Sequence, residues 1–210
     1  MRVRITFSKT GALRYFGNLD LHALWERAAR RAQLPLAYTQ GFHPQPKIYL
    51  ASALPLGFLS RCEVVDLRFT QDVDIKNIPG ILQAVMPSVI NILKAEAVDE
   101  QAPALQTQVI AAEYEVTLRA DPEPSDPHGK RLMQRSEELL AESTLPRERR
   151  GKAYDLRPLI EQLTILPENK IFMRLTARMA ATGRPEEVLD ALGIALENSQ
   201  IERINLIFQA

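Results

Sequence analysis

Residues 2–32 read RVRITFSKTGALRYFGNLDLHALWERAARRA, and the patterning of this run decides the fold. Val3, Ile5 and Phe7 alternate with Arg2, Arg4 and Thr6, which is the period of a half-buried strand. Ser8-Lys9-Thr10-Gly11 reads as a turn. Asn18 has the chemistry of an N-cap, and Leu21, Leu24, Trp25, Ala28 and Ala32 then follow helical spacing. Arg27, Arg30 and Arg31 fall mostly off that apolar face. The helix is expected to stop before Pro35, because proline disfavours helical backbone in the residue that precedes it.

Working outward, Gly41–Lys47 is a loop of turn formers, and Ile48-Tyr49-Leu50 reads as a short strand. Leu54-Pro55-Leu56-Gly57 is a second turn. Val65, Leu67 and Phe69 alternate with polar residues as another strand. Asn77 and Pro79 open a short helix carrying Ile78, Ile81, Leu82 and Val85. Leu93, Ala95 and Ala97 give a last strand. The order is β-α-β-β-α-β, the split ferredoxin-like unit.

The same order recurs roughly 110 residues later. Tyr114, Val116 and Leu118 form a strand, and a loop through Asp121–Asp126 leads to a helix with Leu132, Ser136, Leu139 and Leu140. An irregular basic stretch, Arg147–Lys152, precedes a segment from Tyr154 to Leu166. Ile171, Met173, Leu175 and Ala177 alternate as a strand. Pro185 starts a helix with Val188, Leu189 and Leu192, closed by Gly193. Ile204, Leu206 and Phe208 close the pattern. The expectation is an α+β protein of tandem ferredoxin-like units with antiparallel sheets: residues 1–98, a linker at 99–110, and residues 111–210.

Composition supports a folded chain. Of 210 residues, 46% are hydrophobic and 25% charged, the range of ordinary globular proteins. No apolar run approaches the ~18 residues of a membrane span. The opening residues lack a signal peptide's apolar core, so a cytoplasmic protein without membrane contact is expected. With one cysteine, Cys62, the chain cannot build a structural zinc or cysteine-ligated iron–sulfur site alone. His22, His43 and His128 show no ligand spacing. No G-x-G-x-x-G, G-x-x-x-x-G-K-[ST] or G-x-S-x-G is present, so nucleotide-driven and hydrolase-type acyl chemistry have no support, and no cofactor is expected.

Net charge is zero, but its placement is uneven. Residues 1–65 hold nine Lys/Arg against three Asp/Glu, and residues 129–184 hold twelve against seven. The stretches 66–128 and 185–210 are acidic, with four basic residues against eleven acidic ones and one against five. A polyanion needs a basic face, not a basic protein.

The richest segment runs from Arg14 to Arg61. It combines Arg14, Asn18, Arg27, Arg30, Arg31, His43, Lys47 and Arg61 with Tyr15, Phe16, Tyr38, Phe42 and Tyr49. Cations interleaved with aromatics suit single-stranded RNA, where cations meet phosphates and rings stack on bases. Gly41 and Gly57 would let backbone approach a phosphate. His43 and Lys47 have an alternative use: a histidine can relay a proton from a ribose 2′-hydroxyl while a lysine stabilises the phosphorane. In the second half, Arg147, Arg149, Arg150 and Lys152 form a dense cation cluster, either a solvated loop or a second phosphate contact. Asp155 and Arg157 read as a local ion pair or a structural hydrogen-bond pair. Arg184 sits at a helix N-cap, where a cation opposes the dipole, a hint of an anion site.

These residues resemble a known family. Arg4-x2-Phe7-x-Lys9-x-Gly11, Arg14-Tyr15-Phe16-Gly17-Asn18-Leu19-Asp20-Leu21, Arg30-Arg31-Ala32, Leu34-Pro35-Leu36-Ala37-Tyr38 and Gly41-Phe42-His43-Pro44-Gln45-Pro46-Lys47-Ile48 are similar to the radical-SAM-linked domain, as are Leu54-Pro55-Leu56-Gly57, Ser60 and Glu63. Asp155-Leu156-Arg157-Pro158 and Arg184-Pro185-Glu186-Glu187-Val188-Leu189 also fit. The family more often has Ser-His where this chain has Gly17-Asn18, and more often Asn or a second His at 43 and 45, which weakens a catalytic role here. The resemblance implies a domain fused to, or encoded beside, a cobalamin-binding radical-SAM protein, often near a ribonuclease of the E/G type. The chain lacks the three-cysteine cluster motif, so radical chemistry would belong to that partner. The two-unit pattern also looks like the tandem ferredoxin-like proteins that process CRISPR RNA, an analogy of fold.

The expected function is therefore an RNA-binding accessory module, with tRNA or rRNA as the RNA, working with a radical-SAM partner in RNA modification or processing. The expected contacts are Arg14, Asn18, Arg27, Arg30, Arg31, Gly41, Phe42, His43, Lys47, Arg61, Arg149, Arg150 and Arg184. The alternatives are a metal-independent endoribonuclease using His43 and Lys47, and a protein–protein adaptor docking through its acidic stretches.

Overall fold

The structure is a computed structural model that describes residues 1–119 and 130–209. The expected loop Asp121–Asp126, and His128, lie outside the described residues. The chain divides into two compact units, Met1–Val109 and Ile110–Ala210. Both mix helices with antiparallel β-structure.

In the first unit, strand β1 (Arg2–Lys9) leads to helix α1 (Asn18–Arg31), then β2 (Ile48–Leu50), β3 (Leu59–Arg68), α2 (Ile78–Gln83) and β4 (Ile90–Val98). The strands lie in the order β4-β1-β3-β2. Each neighbouring pair is antiparallel, with Ile5 opposite both Val65 and Ala95. Val3, Ile5 and Phe7 join Leu21, Trp25 and Ala28 of α1 and Ile78 and Leu82 of α2 in one core. The Trp25 ring meets Phe7 edge-on at 4.9 Å. Such pairs add ~0.5–1.5 kcal/mol beyond area burial.

The residue that caps α1 differs from the expectation. Gly17 holds the N-cap position and Asn18 is the first helical residue. Asp20, three residues on, reaches back to accept the Gly17 N–H at 3.1 Å. That carboxylate is half of a capping box, which relieves Asn18 of the role.

Arg2 and Arg4 point away from the apolar core and converge on Asp66. Its fully buried carboxylate accepts Arg2 Nη2 at 2.6 Å and Arg4 Nε at 2.9 Å. Arg2 also donates to the carbonyls of Ala102 and Pro103. The segment expected to be a linker is thereby tied to the first unit. It carries the short helix α3 (Leu105–Gln108), whose Leu105 is buried.

The second unit runs β5 (Val109–Leu118), α4 (Lys130–Ala141), β6 (Pro146–Arg149), β7 (Lys152–Asp155), β8 (Ile160–Leu166), β9 (Lys170–Arg178), β10 (Ala181–Thr182), α5 (Pro185–Ala191) and β11 (Ser199–Phe208). In its sheet β11 neighbours β5, β5 neighbours β9, and β9 pairs with β8 and with the two-residue β10. Leaving aside β6, β7 and β10, this is the neighbour order of the first unit. Arg147–Lys152, expected to be irregular, belongs instead to the hairpin of β6 and β7, with Arg147 opposite Tyr154 and Arg149 opposite Lys152. Among the described residues no helix is long and apolar enough to cross a membrane.

Candidate nucleic-acid interface

The β6–β7 hairpin breaks two local rules at its tip. Its two turn residues, Arg150 and Gly151, both have positive φ, +49° and +74°. A two-residue turn of this hand favours Asn-Gly or Gly-Gly. Arginine in left-handed backbone costs about 1–2 kcal/mol. The last ladder pair sets Arg149 against Lys152, and like charges directly opposite destabilise a hairpin. Among the described residues no carboxylate ion-pairs with Arg149, Arg150 or Lys152.

These three cations border a cleft of about 750 Å³ within the second unit, and Arg184 borders it from another segment. The position of Arg184 follows from Gly183. A Cβ there would lie 2.9 Å from the Leu159 carbonyl oxygen, so only glycine lets the chain pass so close before α5 starts. Arg184 holds the N-cap position of α5 and reaches Glu186 at 3.7 Å, a loose pair. Among the described residues lining the cleft the one carboxylate, Asp155, is committed elsewhere: its Oδ1 accepts the backbone N–H groups of Leu145 and Arg157. Arg157 caps the last turn of α4 by donating to the Leu140 carbonyl at 2.8 Å. Asp155 and Arg157 thus each serve the backbone. Four positive charges border the cleft: Glu186 answers Arg184, Glu186 and Glu187 feel Arg149, and Arg150 and Lys152 have no ion-pair partner among the described residues, an excess of positive charge that suits an anion.

Beside the cleft, the hairpin abuts a group of buried polar atoms. Glu186 Oε2, Glu187 Oε2, Tyr154 Oη and Arg147 Nε are buried with no hydrogen-bond partner. Burial pushes both glutamate carboxyls above the ordinary range, and the Arg149 guanidinium only partly opposes this.

The first unit has a smaller cleft of about 350 Å³, bordered by Phe16, Asp20, Arg27, Arg31 and Met86. The other expected residues of that unit lie elsewhere. Arg14 stacks over Tyr15 at 4.9 Å from the ring centroid, and its carbonyl accepts the Gly57 N–H. Arg30 pairs with Glu26 at 2.7 Å. Asn18 and Arg61 are exposed. Gly41, Phe42 and His43 stand at the tip of a loop that is tied at its base, where Thr39 and Gln45 exchange hydrogen bonds and the Lys47 N–H donates to Ala37. Phe42 is fully exposed, and this loop lines neither cleft. Lys9, which the site reading passed over, is buried and donates to the Phe16 carbonyl. The sequence places Lys9 in a turn over Ser8–Gly11, whereas β1 runs through Lys9, and the period of two that buries Phe7 carries Lys9 inward as well. Among the described residues no group of three His, Cys, Asp or Glu is placed to hold a metal ion.

The protein is of the mixed α+β class, in two compact units. The chain belongs to the family described as an uncharacterized protein conserved in bacteria, DUF2344, which matches residues 2–185. No curated protein matches it. Among solved structures it is similar to a chain in the crystal structure of a Cbf5-Nop10-Gar1 complex, at 10% identity and a TM-score of 0.47, over 97% of this chain and 48% of that one. It spans about half the length of that chain, and likeness at this level carries no argument about function.

Proposed function

We propose that the protein is an RNA-binding accessory module of the cytoplasm, built from two ferredoxin-like units, that presents RNA to a radical-SAM partner for modification or processing. One observation carries the reading. The β6–β7 hairpin holds Arg149, Arg150 and Lys152 together at a local cost, with no carboxylate in ion-pair contact with them among the described residues, on a cleft that Arg184 also borders. Broken local rules of this kind accumulate where function demands them. A ribose–phosphate chain supplies the negative charge that relieves the cost, and exposed aromatics such as Phe42 and Tyr15 offer faces for bases.

The endoribonuclease alternative needs His43 held against a reacting hydroxyl. His43 is exposed, and among the described residues nothing orients it. Binding is the better supported reading. Filter binding with tRNA and single-stranded rRNA fragments tests it, and affinity that weakens steeply with salt is expected. Co-purification with a radical-SAM protein before and after nuclease treatment tests the partner. Survival without RNA supports a direct contact, and loss of the pair in both conditions contradicts one.

A further inference from the structure

The cleft of the first unit differs in chemistry from that of the second. Its long wall is helix α1, and its two ends carry opposite charge. Arg27 and Arg31 lie one turn apart at one end, and both are exposed. Neither has an ion-pair partner among the described residues, although their neighbour Arg30 does. Asp20 borders the other end, seven residues earlier, about 10 Å along the axis at ~1.5 Å per residue. Asp20 Oδ2 accepts the Gly17 N–H, which leaves Oδ1 as an open acceptor. Between the ends the lining is apolar: Leu24 and Ala28 on the helix, Val85 and Met86 across from it. The Phe16 ring is 38% exposed at this cleft and offers a face.

We infer that this cleft binds a nucleoside 5′-monophosphate group, either free or as the first nucleotide of an RNA chain. The phosphate monoester sits on Arg27 and Arg31, where two guanidinium forks match its near-double negative charge. The base stacks on Phe16 against the Val85–Met86 wall, and an exocyclic amine donates to Asp20. Inorganic phosphate would leave the apolar middle empty. A simple apolar anion would leave Asp20 unanswered. The inference rests on the reading of the chain as a ribonucleotide binder, and it names the nucleotide end that the first unit selects.

Calorimetric titration of the full chain tests it, with adenosine 5′-monophosphate, uridine 5′-monophosphate, adenosine and inorganic phosphate as probes. Oligoadenylates with and without a 5′-phosphate form a second arm. Adenosine 5′-monophosphate is expected to saturate, with adenosine and phosphate each at least tenfold weaker. Uridine 5′-monophosphate, which lacks an exocyclic amine, is expected to be weaker too. The exposed double variant R27Q/R31Q, with its fold checked by circular dichroism, is expected to lose this binding. A tighter 5′-phosphorylated oligomer assigns the site to RNA ends, and indifferent oligomers assign it to the free nucleotide. The inference is overturned if the mononucleotide does not saturate, if phosphate alone binds as tightly, or if R27Q/R31Q binds like the parent. If oligoadenylates still bind and lose affinity only in R149Q/R150Q, the general RNA reading stands while this inference falls.

Discussion

Arg149 stands directly opposite Lys152 in the β6–β7 ladder, and among the described residues neither is in an ion pair. Cross-strand pairs of opposite charge stabilise a hairpin and like pairs weaken it, by ~0.2–1 kcal/mol. Lys152→Glu is therefore expected to raise stability by about that amount while lowering RNA affinity. Urea midpoints and filter binding on one preparation measure both. A variant that loses stability and affinity together would mean that the hairpin's charges serve the fold.

Asp66 carries a different kind of charge cluster. Its carboxylate answers two guanidinium groups, those of Arg2 and Arg4, inside the protein. Removing one partner from a buried ionic group costs ~3–5 kcal/mol, because the remaining charges stay desolvated. Asp66→Asn is expected to destabilise the first unit by that order in denaturant unfolding.

The β-α-β-β-α-β order of the first unit was legible because periods of two and 3.6 alternate cleanly from Val3 to Ala97, and the neighbour order of its strands fits that pattern. The hairpin at Arg147–Lys152 was not legible. Its turn places Arg150 in backbone that turn-forming residues normally occupy, so propensity pointed to irregular chain. The charge blocks misled in part. Arg2 and Arg4 count toward the basic excess of residues 1–65, yet their partner Asp66 lies one position beyond that boundary. Proximity of Arg149 to Arg184 depends on tertiary packing, which spacing along the chain cannot report.

Glu186 and Glu187 give a pH signature. Burial raises their folded-state pKa above the unfolded value, so the fold favours the protonated form. Their stabilising contribution is full below the unfolded pKa and is lost as pH rises through the raised folded pKa. Glu187→Gln, which keeps the shape and removes the buried charge, is expected to be more stable than the parent at pH 7. The gap should close as pH falls toward 4. Urea unfolding across that range checks the sign. A Gln variant weaker than the parent at pH 7 would show that Arg147 and Arg149 hold the carboxylate charged.

Phe42 contributes no burial, so Phe42→Ala is expected to leave stability within about 0.5 kcal/mol. If the ring stacks on a base, the same change costs ~1–3 kcal/mol of RNA affinity. Thermal unfolding and RNA titration separate the two effects.

The most direct test of the central claim is the salt dependence of single-stranded RNA binding by the parent and by R149Q/R150Q/K152Q. Each phosphate contact adds ~0.7 to the slope of log K against log salt on single strands. The account predicts that the parent binds with a steep slope and that the variant, still folded, binds more weakly with a slope shallower by about 2. Equal slopes for the two proteins, or a parent with no measurable affinity at low salt, would contradict it.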